Sequence, residues 1–186
     1  MSVLAIDTSS RSRVVVVVAT PEGGLLESEV IRGEQVAASL PPALGRMLAG
    51  IDSAVVVVTG PGTYTGVRAG MAAALGVAHA RHLPLHGVGS LEVVACGDPD
   101  ASTADWVVAD AGRGALYVAR AGDAANPSRV RRADFDIAGA RVLSTDRIEI
   151  AGLIVVDPAL ALARAIPLAL SRPALDRAGL SALYVD

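Results

Sequence analysis

The chain contains no lysine: all 16 of its positive charges are arginines. A Walker-type phosphate loop needs a lysine after its last glycine, so that class of nucleotide site is excluded. Cysteine is nearly absent too. Cys96 stands alone, which rules out an internal disulfide framework and a cysteine-based metal cluster. In its apolar surroundings it reads as a buried small residue. Aromatic residues make up only 3% of the chain, namely Trp106, Tyr64, Tyr117, Tyr184 and Phe135. The hydrophobic total of 52% is therefore mostly alanine and valine, and with charged residues at 19% it excludes disorder.

An uninterrupted apolar run is also lacking. A membrane-spanning helix needs about 20 mostly apolar residues. The longest uncharged stretch, Ser53–Val67, is broken by Gly60, Pro61, Gly62 and Gly66, and Asp7 ends the opening Met1–Ile6 run too early for a signal-peptide core. The expectation is a cytoplasmic protein with no membrane contact. Basic excess is missing as well: net charge is −3, whereas a protein that grips nucleic acid by its own surface is usually basic. The one basic cluster, Arg129, Arg131 and Arg132, is followed by Asp134 and Asp136 and reads as a solvated strand face.

What is present is a periodic α/β pattern. Length over ~150 residues per domain allows one domain or two small ones. Val3–Thr8, the valine run Val14–Ala19 and Leu25–Ile31 read as three strands joined by tight turns. Val36, Leu40, Leu44 and Met47 recur at helical spacing, with a kink or break expected at Pro41-Pro42. A strand at Val55–Thr59, a glycine loop at Gly60–Gly66, a helix over Val67–Arg81 and a strand at Leu85–Val88 complete a βββαβαβ unit. A second unit begins after Gly97–Asp100 with strands Trp106–Asp110 and Ala115–Arg120, and later shows a strand at Gly152–Val156 and a helix over Ala159–Ala169, with Pro167 as a breaker. The fold class is α/β in two subdomains, 1–100 and 101–186, each a mixed sheet with flanking helices.

Four patterns bear on function. The loop Gly60-Pro61-Gly62-Thr63-Tyr64-Thr65-Gly66 precedes a helix, where free backbone N–H groups can cradle phosphate. Its spacing misses the dinucleotide fingerprint, because the sixth position is Thr65; a tight turn with Thr63 or Thr65 capping the helix fits equally. In the helix behind it Gly70, Ala74 and Ala78 form a narrow stripe, which suits either deep burial or packing on another subunit. His79, His82 and His86 read as helix-end or surface residues rather than metal ligands. The turns Asp7-Thr8-Ser9-Ser10 and Asp110-Ala111-Gly112 occupy equivalent places in the two halves. Asp-led turns of this kind hold Mg-nucleotide phosphates in actin-like phosphotransferases, but they also serve as plain strand-end turns.

The stretch Gly60–Leu91 resembles the signature of the bacterial tRNA threonylcarbamoyladenosine biosynthesis TsaB (YeaZ) family, within the actin-like, glycoprotease-type superfamily. Leu4–Ser10 is similar to that family's first strand and turn, and Asp110-Ala111 with Gly114, Tyr117 and Val118 to a later segment. Two positions depart: Ala115 stands where the family carries an acidic residue, and Gly33-Glu34-Gln35 lacks the family's histidine. The resemblance implies two actin-like (RNase H-like) subdomains and a non-catalytic scaffold role in tRNA threonylcarbamoyladenosine formation. The implied partners are the catalytic subunit TsaD and the ATPase subunit TsaE, with a homodimer in isolation and tRNA reached only through the complex. The expected partner face is Val36, Leu40, Leu44, Met47, Tyr64, Arg68, Gly70, Met71, Ala74 and Ala78. Asp7, Thr8, Ser9 and Asp110 would form a degenerate nucleotide site, and no catalytic residue, metal or cofactor is expected. The alternative is an actin-like nucleotide-binding enzyme, a kinase or a glycoprotease-type peptidase.

Overall fold

The computed structural model describes residues 1–33, 36–175 and Ala182, with the side chains of Val36 and Ala37 also outside the description. Glu34, Gln35 and the Tyr184–Asp186 end lie outside it. Strands β1 (Val3–Asp7), β2 (Arg13–Ala19) and β3 (Leu25–Arg32) form the expected antiparallel meander. A 3-10 turn at Val36–Ser39 leads into α1 (Leu40–Met47). Then come β4 (Ala54–Val58), α2 (Tyr64–Arg81) and β5 (Leu85–Val88). With β4 and β5 added in parallel, the first sheet has the order β3-β2-β1-β4-β5. After α3 (Ser90–Gly97), strands β6 (Trp106–Gly112), β7 (Ala115–Arg120), β8 (Ser128–Arg131), β9 (Val142–Ser144) and β10 (Leu153–Val155) build a second sheet, ordered β10-β9-β6-β7-β8. Helix α4 (Pro158–Leu170) follows.

The valine runs are explained by burial on both faces. Side chains alternate across a strand, and here both sets find apolar partners. Leu4, Ile6, Val14, Val16, Val55 and Val57 pack under α1 and α2. Val3, Ala5, Val15, Val17, Val56 and Val58 face the other way, into a core shared with α3, α4 and Val107 and Leu143 of the second sheet. The layers therefore run α1/α2, first sheet, α3/α4, second sheet, and a small outer cluster in which Trp106 meets Phe135 edge-on at 5.2 Å. Although α4 follows the second sheet in sequence, it lies against β1, β2, β3 and β5 of the first.

Several boundaries differ from the sequence-based expectation. Pro41 and Pro42 occupy the first turn of α1, where a missing N–H costs nothing, so they start the helix rather than break it. Helix α2 begins at Tyr64, three residues early, because Thr63 caps it by accepting from the Gly66 N–H at 3.2 Å. Pro167 sits inside α4, which continues to Leu170. Two elements have no clear sequence signal. Helix α3 is wedged between the sheets with Leu91, Val93 and Val94 no more than 1% exposed, so it shows no polar face, and β9 is only three residues long.

The shared core predicts a sharp contrast within α4. Ile166 is fully buried while Leu160 is 40% exposed. Ile166→Ala should cost about 2–5 kcal/mol, and Leu160→Ala no more than about 0.5 kcal/mol, read from urea denaturation midpoints.

Candidate functional site

The junction of the two sheets is closed by one buried guanidinium. Asp7 ends β1 at 4% exposure, and Arg13, at 3%, opens β2. Arg13 Nη2 donates to Asp7 Oδ2 at 3.3 Å and to Thr145 Oγ1 at 2.7 Å. Its Nη1 donates to the Thr145 carbonyl at 3.3 Å and pairs with Asp146. Thr145 and Asp146 follow β9, so this side chain ties the first sheet to the second. Ser10 Oγ adds a bond to Asp146 Oδ1 at 3.0 Å. Asp7 is further satisfied by the Ser9 N–H at 2.9 Å and the Ser9 hydroxyl at 2.6 Å, a local Asx-type turn. The space left among Asp7, Ser9, Arg13, Pro61, Ser90 and Asp110 is about 10 Å³, room for a single water at most.

The glycine loop leans on this same turn. Thr63 N–H donates to the Ser9 carbonyl at 2.9 Å, Thr8 Oγ1 to the Gly66 carbonyl at 2.7 Å, and Ser90 Oγ to the Pro61 carbonyl at 2.7 Å. A Cβ on Gly62 would stand 2.5 Å from the Ser9 carbonyl oxygen, and one on Gly66 or Gly70 would overlap Thr8. These glycines are required by the approach of loop and helix to the chain's own Thr8–Ser9 backbone. Of the residues expected in a nucleotide site, Asp7, Thr8 and Ser9 are thus committed to internal contacts. Asp110 lies across the junction, held by Arg132 at 3.5 Å, Arg11 at 3.8 Å and the Gly112 N–H at 3.1 Å. Ala115 is buried, in β7.

Most of the expected partner face is buried within the chain. Leu40, Leu44, Met47, Met71, Ala74 and Ala78 are at most 7% exposed and pack against the first sheet. Gly70 is buried against Thr8. The Val36 side chain lies outside the described residues. Tyr64 and Arg68 are on the outer side of α2, continued by Ala72, Gly76 and Ala80. The Arg68 guanidinium lies 4.1 Å from the Tyr64 ring centroid, a cation–π pair one helical turn apart. His79 and His82 are exposed at the end of α2, and buried His86 has Nδ1 3.1 Å from the Arg172 carbonyl oxygen. Among the described residues no three His, Cys, Asp or Glu side chains converge on one point, and no helix is long and apolar enough to cross a membrane.

One ion pair had no sequence signal at all. Glu92 in α3 is 7% exposed and receives both Arg172 Nη atoms, at 2.5 and 2.9 Å, plus the Gly89 N–H at 2.8 Å. Burial pushes its carboxyl pKa up, but Arg172 and the Gly89 N–H together outweigh that and hold it below the ordinary value. The pair pins the segment after α4 to α3, across a sequence gap that no local pattern bridges.

Two mixed five-stranded sheets with helices between and outside them define an α/β protein of two actin-like subdomains. The structure of YeaZ from Pseudomonas aeruginosa superposes on this chain with a TM-score of 0.73 at 21% identity, covering 99% of each chain. An uncharacterized protein similar to peptidase YeaZ, also from Pseudomonas aeruginosa, gives 0.70 at 20% identity over 100% of this chain and 99% of that one. The model of the TsaD family, described as tRNA N6-adenosine threonylcarbamoyltransferase, matches residues 36–168. The chain belongs to that family. Uncharacterized mycobacterial proteins are also similar: one from Mycobacterium leprae is 47% identical over 68 residues, and one from Mycobacterium tuberculosis 48% over 67. Each alignment covers 36% of this chain, and spans only 18% and 30% of the lengths of these curated relatives.

The buried charges can be tested one at a time. Arg13→Ala leaves Asp7 buried without its counter-ion, and should cost about 3–5 kcal/mol in denaturant unfolding. Arg13→Met with Asp7→Asn should recover part of that stability, since neither charge is then left alone. For Glu92 the sign follows from its lowered pKa. The pair's stabilisation is complete above the ordinary carboxylate value of 4.5 and is lost as pH falls through the lower folded value. Below pH 4.5 the stability of Glu92→Gln should therefore fall less steeply than that of the natural chain.

Proposed function

We propose that the chain is a non-catalytic subunit of the machinery that installs N6-threonylcarbamoyl on tRNA adenosine, acting as a TsaB-type scaffold for the catalytic subunit TsaD. The observation that carries this reading is the junction filled by Arg13. In an actin-like enzyme the Asp-led turns of both subdomains face a nucleotide. Here Asp7 faces a guanidinium instead, and about 10 Å³ is left beside its carboxylate. Family membership supports the connection to tRNA modification, and the absence of a lysine in the whole sequence excludes a Walker-type phosphate loop.

The partner face in this reading is the outer side of α2: Tyr64, Arg68, Ala72, Gly76 and Ala80. Small residues there let a second helix approach closely, and the Tyr64–Arg68 pair supplies a rigid amphipathic rim. The same face would pair two copies of the chain in isolation and give way to TsaD in the complex. TsaE joins through the assembled complex, which also presents the tRNA, and the site of action is the cytoplasm.

Ala72→Arg and Arg68→Glu should each weaken capture of TsaD at least tenfold in a pull-down, with unfolding free energy changed by no more than about 0.5 kcal/mol because both positions are exposed. An arginine at Gly70 or Ala74 is unsuitable for this test, because it would break the core. Capture that stays unchanged in both variants overturns the interface. Calorimetry with Mg-ATP should give the same heat for the full chain and its Asp110→Asn variant, and micromolar binding that is lost in that variant would favour the enzymatic alternative.

A further inference from the structure

Beside the closed junction lie two open cavities, of about 460 and 340 Å³, that share Ser12, Asp146 and Arg147. The larger is flanked by Arg32 at the end of β3, Arg147 after β9, and Asp157 and Pro158 at the start of α4; the smaller by Arg11 and Arg132. In the larger cavity Arg13, Arg32 and Arg147 outnumber Asp146 and Asp157. Arg13 and Ser10 both meet Asp146 at Oδ1. Asp157 caps α4, accepting from the Ala159 and Leu160 N–H groups at 2.9 Å each. Asp110 is shared by Arg11, Arg132 and the Gly112 N–H. Exposed Glu149 completes the carboxylates of the lining. Against this, the side chains of Arg32 and Arg147 have no hydrogen-bond or ion-pair partner among the described residues, and the Nε–H groups of Arg13 and Arg132 are buried without an acceptor. Arg13, almost fully buried, also forms part of the wall of the larger cavity.

We propose that this groove binds a phosphate ester, with Arg32 and Arg147 as the residues that hold it. The two unpaired guanidinium groups of Arg32 and Arg147 line one concavity, which favours a ligand made of acceptor oxygens. Phosphate matches the planar donor fork of arginine better than any neutral group. The cavity is the size of a nucleotide or of a short run of sugar–phosphate backbone. It borders the Arg13–Asp146 pair without reaching Asp7, so a ligand there leaves the junction closed. An RNA backbone and a free phosphate ester present the same chemistry to the two arginines; only the RNA source rests on the proposed role in tRNA modification.

The test uses the full chain and its Arg32→Ala/Arg147→Ala variant, both changes lying on exposed side chains. Inorganic pyrophosphate should shift the amide resonances of Ser12, Arg32 and Arg147 in the natural chain, and bind at least tenfold more weakly to the variant. In filter binding with an unmodified tRNA transcript, the variant should lower the slope of log Kd against log salt by about two, one for each phosphate that no longer meets an arginine. Both effects together assign the groove to RNA backbone. The pyrophosphate effect alone assigns it to a free phosphate ester. No difference between the chains with either probe overturns the site. TsaD capture by the same variant should be unchanged, which separates failure of this site from failure of the scaffold reading.

Discussion

The Arg13 guanidinium is the contact on which the relation between the two sheets depends. It is held by a carboxylate from each side, Asp7 from β1 and Asp146 from the segment after β9. A buried charge is tolerable only when it is paired and hydrogen-bonded, and Arg13 meets that condition only if the two sheets stand at this separation. The pair therefore sets geometry more than it adds stability, since a buried ion pair roughly offsets its own desolvation. The apolar core through α3 and α4 supplies the net driving force, and the ion cluster selects one arrangement of that core.

The glycine loop takes its meaning from the same turn. With Asp7 occupied by Ser9 and Arg13, the Thr8–Ser9 backbone is fixed, and the loop and the first turns of α2 come down directly on it. Gly62, Gly66 and Gly70 are the positions of contact, and no residue with a Cβ fits any of them without displacing Thr8 or Ser9. A sequence that looks like a phosphate cradle is here a steric footprint of one loop on another. The consequence extends along α2. Once Gly70 faces Thr8, helical spacing turns Ala74 and Ala78 to the same sheet and leaves Arg68, Ala72, Gly76 and Ala80 outside.

The strands were legible in the sequence because valine runs mean burial on both faces, and the sheets confirm this for β1, β2 and β4. The resemblance at Gly60–Leu91 was legible because the glycines there answer to a single geometry. What stayed hidden depends on pairs distant in sequence. The small-residue stripe of α2 allows two orientations about the helix axis, and only the contact with Thr8 decides between them. Arg13 is 133 residues from Asp146, and Glu92 is 80 from Arg172; neither partner leaves a local pattern. Helix α3 shows no polar face because both of its sides are covered, so its periodicity is erased by its position.

The closed junction also bears on how such a fold can change role within one family. Two subdomains that hinge about a nucleotide need an open space between facing carboxylates, filled by a ligand with its counter-ions. Placing an arginine at the start of β2 supplies the positive charge from the chain itself. The carboxylates then have a permanent partner and the hinge loses its reason to move. A platform for another protein benefits from that rigidity, since a face that does not fluctuate loses less entropy on association. In that reading the proposed scaffold role and a junction occupied by Arg13 are one arrangement seen from two sides. With the core held rigid, the outer side of α2 and the arginine-flanked groove are the surfaces proposed to engage partners.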